Sequence, residues 1–203
     1  KVVEKRKGAE LEGIAYVPLF EYFGEYRENG AFKIMAEEFV TAVDGTGIVH
    51  CAPGFGEDDY NCCFRRKIID PGNPPCPVDD NGNLINPVVD FEGLNFKEAD
   101  KPIKKDLKKR GRLLYEGTYE HSYPFCWRSE SPLIYRAVQC WFIKVTDIKD
   151  KLIVNNKKAR WVPESIQHGR FHNWLADARD WCFSRNRLWG NPIPLWVSDD
   201  GEE

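Results

Sequence analysis

The chain has 203 residues, which is enough for one large domain or for one and a half. Its net charge of −3 gives no overall basic field, although a local basic face would be enough to bind RNA. It has no apolar run long enough to span a bilayer and no secretory signal, so we expect no membrane partner.

Residues 1–118 are predicted to form one α/β unit, with a mixed, barrel-like sheet and helices outside it. Apolar runs predict strands at residues 16–20, 39–43 and 48–49. Turn residues follow at 70–75, and Asn81-Gly82 predicts a hairpin turn. Residues 99–110 are predicted to be a helix that Gly111 ends. Apolar Ile103, Leu107 and Leu114 are predicted to form its buried stripe.

Residues 45–60 predict a buried strand, a sharp loop and then an acidic helix start. Three residues break regular structure in the loop: Pro53, Gly54 and Gly56. Three acids follow in the first helical turn, where the macrodipole favours negative charge: Glu57, Asp58 and Asp59. This layout places one imidazole, that of His50, and one carboxylate at the rim of a small pocket. The residue types alone leave a simpler alternative, a capped helix with His50 satisfied inside a core.

The whole string from Gly45-Thr-Gly to Asp59 resembles the editing-domain signature of the isoleucyl-tRNA synthetases. That signature has His after two apolar residues, then Ala-Pro, a Gly-rich turn and an Asp nine positions after the His, matched here by His50 and Asp59. The related valyl enzymes usually carry Lys at the His50 position and the leucyl enzymes carry Met. The resemblance is therefore closer to the isoleucine branch.

The resemblance implies hydrolysis of valyl-tRNA(Ile), with His50 and Asp59 as the catalytic-site residues. Asp59 would bind the α-ammonium group of the substrate, and His50 would line the side-chain pocket and set its size. Neither acts as a nucleophile, because a positioned water suffices for an activated ester. The implied substrate-binding residues, around the terminal adenosine and the loop, are Gly45, Thr46, Gly47, Ala52, Pro53 and Gly56.

The helix at 99–110 is rich in lysine. It can be a solvated face, or it can contact an RNA backbone. The residues assigned to tRNA binding are Lys104, Lys105 and Lys108 on this helix, with Arg185 and Arg187 further along the chain. For Arg185 and Arg187 the alternative is structural, with arginine paired to Asp177 or Asp180.

Residues 119–203 are predicted to be a connecting α+β segment. A strand is predicted at 137–145, helices at 147–158 and 164–178, and a strand at 192–197. In the second helix Ile166, Phe171, Trp174 and Leu175 are predicted to turn inward. Two strings, at 121–135 and 179–196, are similar to the segments in which these synthetases leave the editing domain and re-enter the nucleotide-binding aminoacylation core.

The seven cysteines have an odd count and no Cys-x-x-Cys spacing, which favours free thiols in a reducing, cytoplasmic compartment. Some relatives have Cys-Trp-Arg-Cys where this chain has Cys126-Trp-Arg-Ser129. A hydroxyl is a poor zinc ligand, so we predict no metal there and read Cys126 as a small buried hydrophobe.

The chain departs from the family pattern by lacking a threonine-rich strand and the adenylate-forming motifs. It is therefore interpreted as a fragment without cofactors of its own, whose parent enzyme uses ATP and Mg²⁺. Its expected partners are the 3′ end of tRNA(Ile) and the rest of the parent synthetase. Three alternatives stay open: a valyl editing domain, a non-catalytic tRNA-binding fragment and a generic metal-binding α/β domain.

Overall fold

A computed structural model of the chain describes residues 3–42, 46–118, 120–185 and 193–200. The chain divides into two compact units, Lys1–Ala137 and Val138–Glu203. The functional boundary predicted at 118/119 from the sequence stays a prediction.

Two helices frame the first unit, and both follow local sequence signals. Helix α1 spans Glu57–Arg65, and its three acids stand at its positive end as predicted. Helix α2 spans Phe96–Lys109. It begins three residues earlier than predicted because the Asn95 side chain accepts a hydrogen bond from the Lys97 backbone N–H at 3.2 Å. Gly111 follows α2 with φ +65°, which confirms the predicted helix end.

Short pairings replace the strands predicted in the first unit. The Tyr16 N–H donates to the Phe32 carbonyl at 3.0 Å, and the Ile34 N–H donates to the Ile14 carbonyl at 2.9 Å. This pairing reaches only Tyr16, the first residue of the strand predicted at 16–20. Pro18 has no N–H with which to continue a ladder. In the described residues of 39–43 and 48–49 no strand forms. The barrel-like sheet of the predicted α/β fold stays a prediction.

The turns of the first unit are confirmed. Pro71 and Gly72 form a turn, with φ +80° at Gly72. Around Asn81-Gly82, Asp79 N–H donates to the Asn83 carbonyl at 2.9 Å. Four short 3₁₀ turns occur in the described chain: Gly8–Leu11, Gly24–Arg27, Val89–Phe91 and Val145–Asp147.

A small core packs around the second half of α1 and the residues that follow it. Cys63, Ile68 and Ile69 are buried and pack against partly buried residues of the first 60 positions: Tyr26, Ala31, Met35, Cys51 and Tyr60. The stripe predicted on α2 is confirmed at Leu107, which is buried, and is wrong at Leu114, which is fully exposed. Leu114 lies beyond Gly111, where the helical period no longer sets its direction.

The second unit has one small sheet and three helices in its described part. Strand β1, Phe142–Ile143, pairs antiparallel with β2, Trp181–Cys182. The strand predicted at 137–145 is thus reduced to two residues, and the described residues 193–197 form no strand.

The two helices predicted in this unit form, with altered bounds. Helix α3 spans Lys149–Lys158, and the next predicted helix is split at Gly169 into α4, Ser165–His168, and α5, Arg170–Ala176. Leu175 is buried as predicted, whereas Trp174 is 67% exposed, so its inward prediction is wrong. Buried Gln167 donates from its amide to the Asn156 carbonyl at 2.7 Å, and Asn156 donates to the Gln167 carbonyl at 2.9 Å. These bonds tie α3 to α4.

Candidate active site at the start of helix α1

A tight turn carries the chain into α1. The Phe55 N–H donates to the Ala52 carbonyl at 2.9 Å. Within this turn Gly54 is buried, and a Cβ placed there would lie 2.4 Å from the Pro75 carbonyl oxygen. The Gly54 carbonyl also accepts a hydrogen bond from the Ala137 N–H at 2.8 Å. Only glycine fits this close approach, so the turn is fixed from both sides.

The Asp59 carboxylate folds back onto this turn. Its Oδ2 accepts a hydrogen bond from the Ala52 backbone N–H at 3.1 Å. Gly56 makes room for it, since a Cβ at Gly56 would lie 2.8 Å from the same oxygen. Within the described part of the chain, Oδ1 of Asp59 has no hydrogen-bond partner. The half-buried carboxylate therefore keeps one oxygen available to a cationic group.

His50 lies just before the turn that holds this carboxylate. It precedes Ala52 by two residues, so the two Cα atoms are within about 7 Å of each other. The imidazole is exposed and makes no hydrogen bond to any described residue. The alternative of a satisfied core histidine is wrong.

The apolar residues before His50 are exposed too, Ile48 by 67% and Val49 by 56%. The prediction of a buried strand at 48–49 is wrong, because both side chains are exposed and no described segment pairs with these residues. The His50 side of the site is open to solvent.

The remaining predicted substrate residues form a second turn. Thr46 Oγ1 lies 3.4 Å from the Ile48 N–H and 3.1 Å from its carbonyl, and Gly47 has φ +73°. The left-handed backbone at Gly47 favours glycine there. Gly45 lies outside the described residues. Among the described residues this segment is a turn rather than the strand edge that was expected.

The lysines of α2 differ in how available they are. Lys104 Nζ is 2.8 Å from Glu116 Oε1, and this hydrogen bond raises the pKa of Lys104. Lys105 and Lys108 are exposed and form no ion pair within 4 Å with any described residue. Lys105 and Lys108 are thus more available to a phosphate than Lys104 is.

Arg185 is folded against its own segment. Its Nη1 donates to the Ser184 carbonyl at 2.7 Å and to the Cys182 carbonyl at 3.2 Å. It does not pair with Asp180, whose carboxylate accepts from the Thr146 N–H and hydroxyl at 3.0 and 2.8 Å. Arg187 lies outside the described residues.

Comparison with known proteins identifies the family. Residues 12–203 match tRNA synthetases class I (I, L, M and V). The chain belongs to this class I synthetase family. Over its full length it is 61% identical to the isoleucine–tRNA ligase of Tetrahymena thermophila and covers 19% of that protein.

Other relatives of this synthetase chain also carry the isoleucine name. Over its full length it is 52% identical to the cytoplasmic isoleucine–tRNA ligase of Arabidopsis thaliana, of which it covers 17%. It is equally similar, 52%, to the isoleucine–tRNA ligase of Bdellovibrio bacteriovorus, of which it covers 19%. The chain thus spans about a fifth of the length of these relatives, and the high identity confirms the resemblance to the isoleucine branch.

The sequence did not reveal the ionic network that holds α1 in this synthetase chain. Glu37 accepts hydrogen bonds from Arg66 Nε at 3.0 Å, from Arg65 Nη2 at 2.8 Å and from the Cys62 thiol at 3.3 Å. Arg66 also pairs with Glu12 at 2.6 Å. Burial would raise the pKa of Glu37, but the hydrogen bonds from Arg66 and Cys62 and the charges of both arginines outweigh it and lower the pKa.

No cluster of three or more histidine, cysteine or acidic side chains suited to a metal ion occurs among the described residues. Near Cys126, Ser129 and Ser131 hydrogen-bond to each other at 2.7 Å. The expectation that Cys126 binds no zinc stays a prediction. None of the helices in the described ranges has the length and apolarity to cross a membrane.

Two shallow cavities occur elsewhere on the synthetase chain. One, of about 390 Å³, lies along α3, and the other, of about 300 Å³, lies in the first unit beside Phe20, Phe91 and Arg110. Neither includes His50 or Asp59. The candidate site is an open loop at a helix start, and the side-chain chemistry at Asp59 rather than a cavity locates it.

Proposed function

We propose that this chain is the proofreading part of an isoleucine–tRNA ligase, which hydrolyses the ester between valine and tRNA(Ile). The observation that carries the proposal is the Asp59 carboxylate, which the Ala52 N–H holds while its second oxygen stays open. An exposed His50 lies two residues before Ala52. The match to isoleucine–tRNA ligases along the whole chain supports it.

The chemical need for such a site follows from the size of the substrates. Valine lacks one methylene of isoleucine, and a methylene in a hydrophobic pocket is worth only about 1–3 kcal/mol. Isoleucine–tRNA ligases are the standard example of that limit. A second site that admits valine and excludes isoleucine can therefore hydrolyse the valine that was wrongly joined to tRNA(Ile).

Asp59 binds the substrate in this mechanism. Its open oxygen accepts from the α-ammonium group of the esterified amino acid, in a charge-assisted hydrogen bond. The Ala52 N–H keeps the carboxylate in place, and Gly56 leaves it room. The ester carbonyl is then fixed in position for attack by water, and proximity supplies much of the rate.

His50 sets the size limit. The valine side chain fits against the imidazole, and the extra methylene of isoleucine clashes with it. The turn at Thr46 and Gly47 borders the position of the terminal adenosine. The proposed hydrolysis uses water and residues of this chain, and no step passes through ATP or Mg²⁺.

The parent protein is proposed to be a cytoplasmic isoleucine–tRNA ligase that joins isoleucine to its tRNA with ATP and Mg²⁺. Its named relatives support this, including the cytoplasmic ligases of Arabidopsis thaliana and Mus musculus. The rest of that protein and tRNA(Ile) are the proposed partners.

The deciding experiment times amino-acid release from valyl-tRNA(Ile) and isoleucyl-tRNA(Ile) by the chain. Valine should be released well above the spontaneous rate and isoleucine should not. Asp59→Asn should slow valine release by roughly 10- to 150-fold, the effect of one hydrogen bond to a charged group. Asp58→Asn is the matched control, because Asp58 is an exposed acid of the same helical turn. Equal release by the wild-type and Asp59→Asn chains would remove Asp59 from the mechanism.

A tRNA-binding role without catalysis is the second candidate, favoured by the exposed Lys105 and Lys108 on α2. It predicts that the chain binds tRNA without releasing valine. Replacing both lysines by glutamine should then weaken binding and reduce its salt dependence. Lys104→Gln should have the smaller effect, since Glu116 already holds that ammonium group.

A further inference from the structure

Two thiols meet where the Ala52 turn packs on α1. The sulfur atoms of Cys51 and Cys63 are 3.6 Å apart. Cys63 lies on α1 and is 4% exposed, whereas Cys51 lies in irregular backbone and is half-buried. Both cysteines are free thiols. A disulfide has an S–S length of about 2.05 Å, so a shift of about 1.5 Å would bring them to bonding distance.

We propose that Cys51 and Cys63 form an oxidisable dithiol that a peroxide converts into an intramolecular disulfide. The inference goes beyond the proposed hydrolysis and does not depend on it. Cys51 has the freedom to move because it lies outside any helix or strand. Its sulfur lies 3.7 Å from the Asp59 carbonyl oxygen and 3.6 Å from the Cys63 sulfur.

The hydrogen bond between the two sulfurs assigns their roles. It raises the pKa of Cys51, as burial also does, and it lowers the pKa of Cys63. Cys63 is therefore the thiol of the pair that loses its proton more readily, and we assign it as the nucleophile.

The reaction balances with hydrogen peroxide as the oxidant. The Cys63 thiolate attacks one peroxide oxygen, the O–O bond breaks and hydroxide leaves, which gives a sulfenic acid on Cys63. The Cys51 sulfur then attacks the Cys63 sulfur and displaces the hydroxyl group, which takes the Cys51 proton and leaves as water. The first hydroxide becomes water with the proton that Cys63 gave up. Two thiols are oxidised by two electrons, and one peroxide is reduced to two waters.

Cys62, the neighbour of Cys63, is not suited to this role. Its thiol donates to Glu37 at 3.3 Å and lies 3.8 Å from the Met35 sulfur. Burial, followed by the hydrogen bond to Glu37, raises the pKa of Cys62 to about 12. Cys62 therefore stays a protonated thiol and serves as the matched control.

The disulfide would enclose the candidate site. It links positions 12 residues apart, and Ala52, Gly56 and Asp59 all lie within the loop that it closes. The contact between Ala52 and Asp59 would then lie inside a covalent ring.

The test is peptide mapping of the chain after treatment with hydrogen peroxide and blocking of the remaining thiols with N-ethylmaleimide. Cleavage at Glu57, Asp58 or Asp59 separates Cys51 from Cys63, so their disulfide appears as two linked peptides that dithiothreitol releases. Fragmentation spectra distinguish Cys63 from Cys62. We expect the Cys51–Cys63 link in the wild-type chain and in Cys62→Ser.

In Cys51→Ser, Cys63 should instead accumulate as a sulfenic acid that dimedone traps. A second pair, Cys140 and Cys182 in the other unit, is the internal standard, since burial raises the pKa of Cys140 and Cys182 is close enough to raise it further. Reduced Cys51 and Cys63 in samples where Cys140 and Cys182 are oxidised would overturn the proposal. A link from Cys51 to Cys62 would overturn it as well. The wild-type map needs no variant, so a variant that failed to fold would not obscure the result.

Discussion

The backbone N–H of Ala52 and the Oδ2 atom of Asp59 are 3.1 Å apart, and this contact joins the Ala52 turn to the first turn of α1. It fixes the carboxylate against rotation while its other oxygen stays open. Because Gly56 alone leaves space for this arrangement, the geometry of the site can be changed without changing any charged residue.

Gly56→Ala should move the Asp59 carboxylate and slow valine release. The added Cβ would lie 2.8 Å from Oδ2, and the carboxylate is the flexible partner that must shift. We expect release to slow by about tenfold or more with a small change in stability, since only a side chain has to move. Single-turnover kinetics with valyl-tRNA(Ile) measures the rate of valine release, and urea unfolding of the same sample measures the stability. Unaltered release would mean that the position of the carboxylate does not matter.

His50→Ala should make the site less selective rather than less active. Without the imidazole the pocket accepts isoleucine, so release from isoleucyl-tRNA(Ile) should rise by about tenfold, at the lower end of what one methylene is worth. Ile48→Ala is the control, because Ile48 is an exposed neighbour two residues away. The ratio of valine to isoleucine release is the quantity to compare, and an unchanged ratio in His50→Ala would contradict the assigned role.

The Glu37 network should make stability depend on pH in the acid range. The folded pKa of Glu37 is lowered, so its contribution is complete above the ordinary glutamate pKa of about 4.3. The contribution is lost as the pH falls through the lower folded value. Glu37→Gln should cost about 1–2 kcal/mol of unfolding free energy at pH 7.

The stability difference between wild type and Glu37→Gln should shrink as the pH is lowered from 5 to 3, roughly the range in which glutamates titrate. Urea unfolding across this range measures it. Glu38→Gln, at an exposed position next in sequence, should leave the pH profile unchanged. A constant difference between wild type and Glu37→Gln would show that the network does not lower the pKa of Glu37.

Gly54→Ala should destabilise the first unit. Its Cβ would lie 2.4 Å from the Pro75 carbonyl oxygen, so the backbone must shift at a cost of about 1–3 kcal/mol. Gly24→Ala is the matched control, because a Cβ there meets nothing within 4 Å. Equal unfolding midpoints for the two variants would contradict the packing of the turn.

Local signals in the sequence predicted α1, α2 and the turns. Acids at the start of α1, glycine after α2 and Asn81-Gly82 each act over a few residues. The prediction of a strand at 48–49 was wrong because a strand needs a second segment to pair with. Two neighbouring apolar residues do not show whether such a segment exists.

The candidate site was predicted in part. Residue types pointed to His50 and Asp59, but the donor that holds Asp59 is the backbone N–H of Ala52, which every non-proline residue has. The pairing of Glu37 with Arg66 joins positions 29 residues apart. No periodicity in the sequence links them, because only the folded chain brings the two together.

The two carboxylates that pair with Arg66, those of Glu12 and Glu37, also determine how many residues can be removed from the beginning of the chain. Glu12 and Glu37 both lie in the segment before α1, and Arg66 lies just after this helix. A shorter piece that starts between these acids keeps one countercharge. A piece that starts beyond Glu37 leaves Arg66 without either of these partners, and the Cys62 thiol loses its acceptor. A truncated chain that keeps both ionic contacts of Arg66 must therefore begin before Glu12.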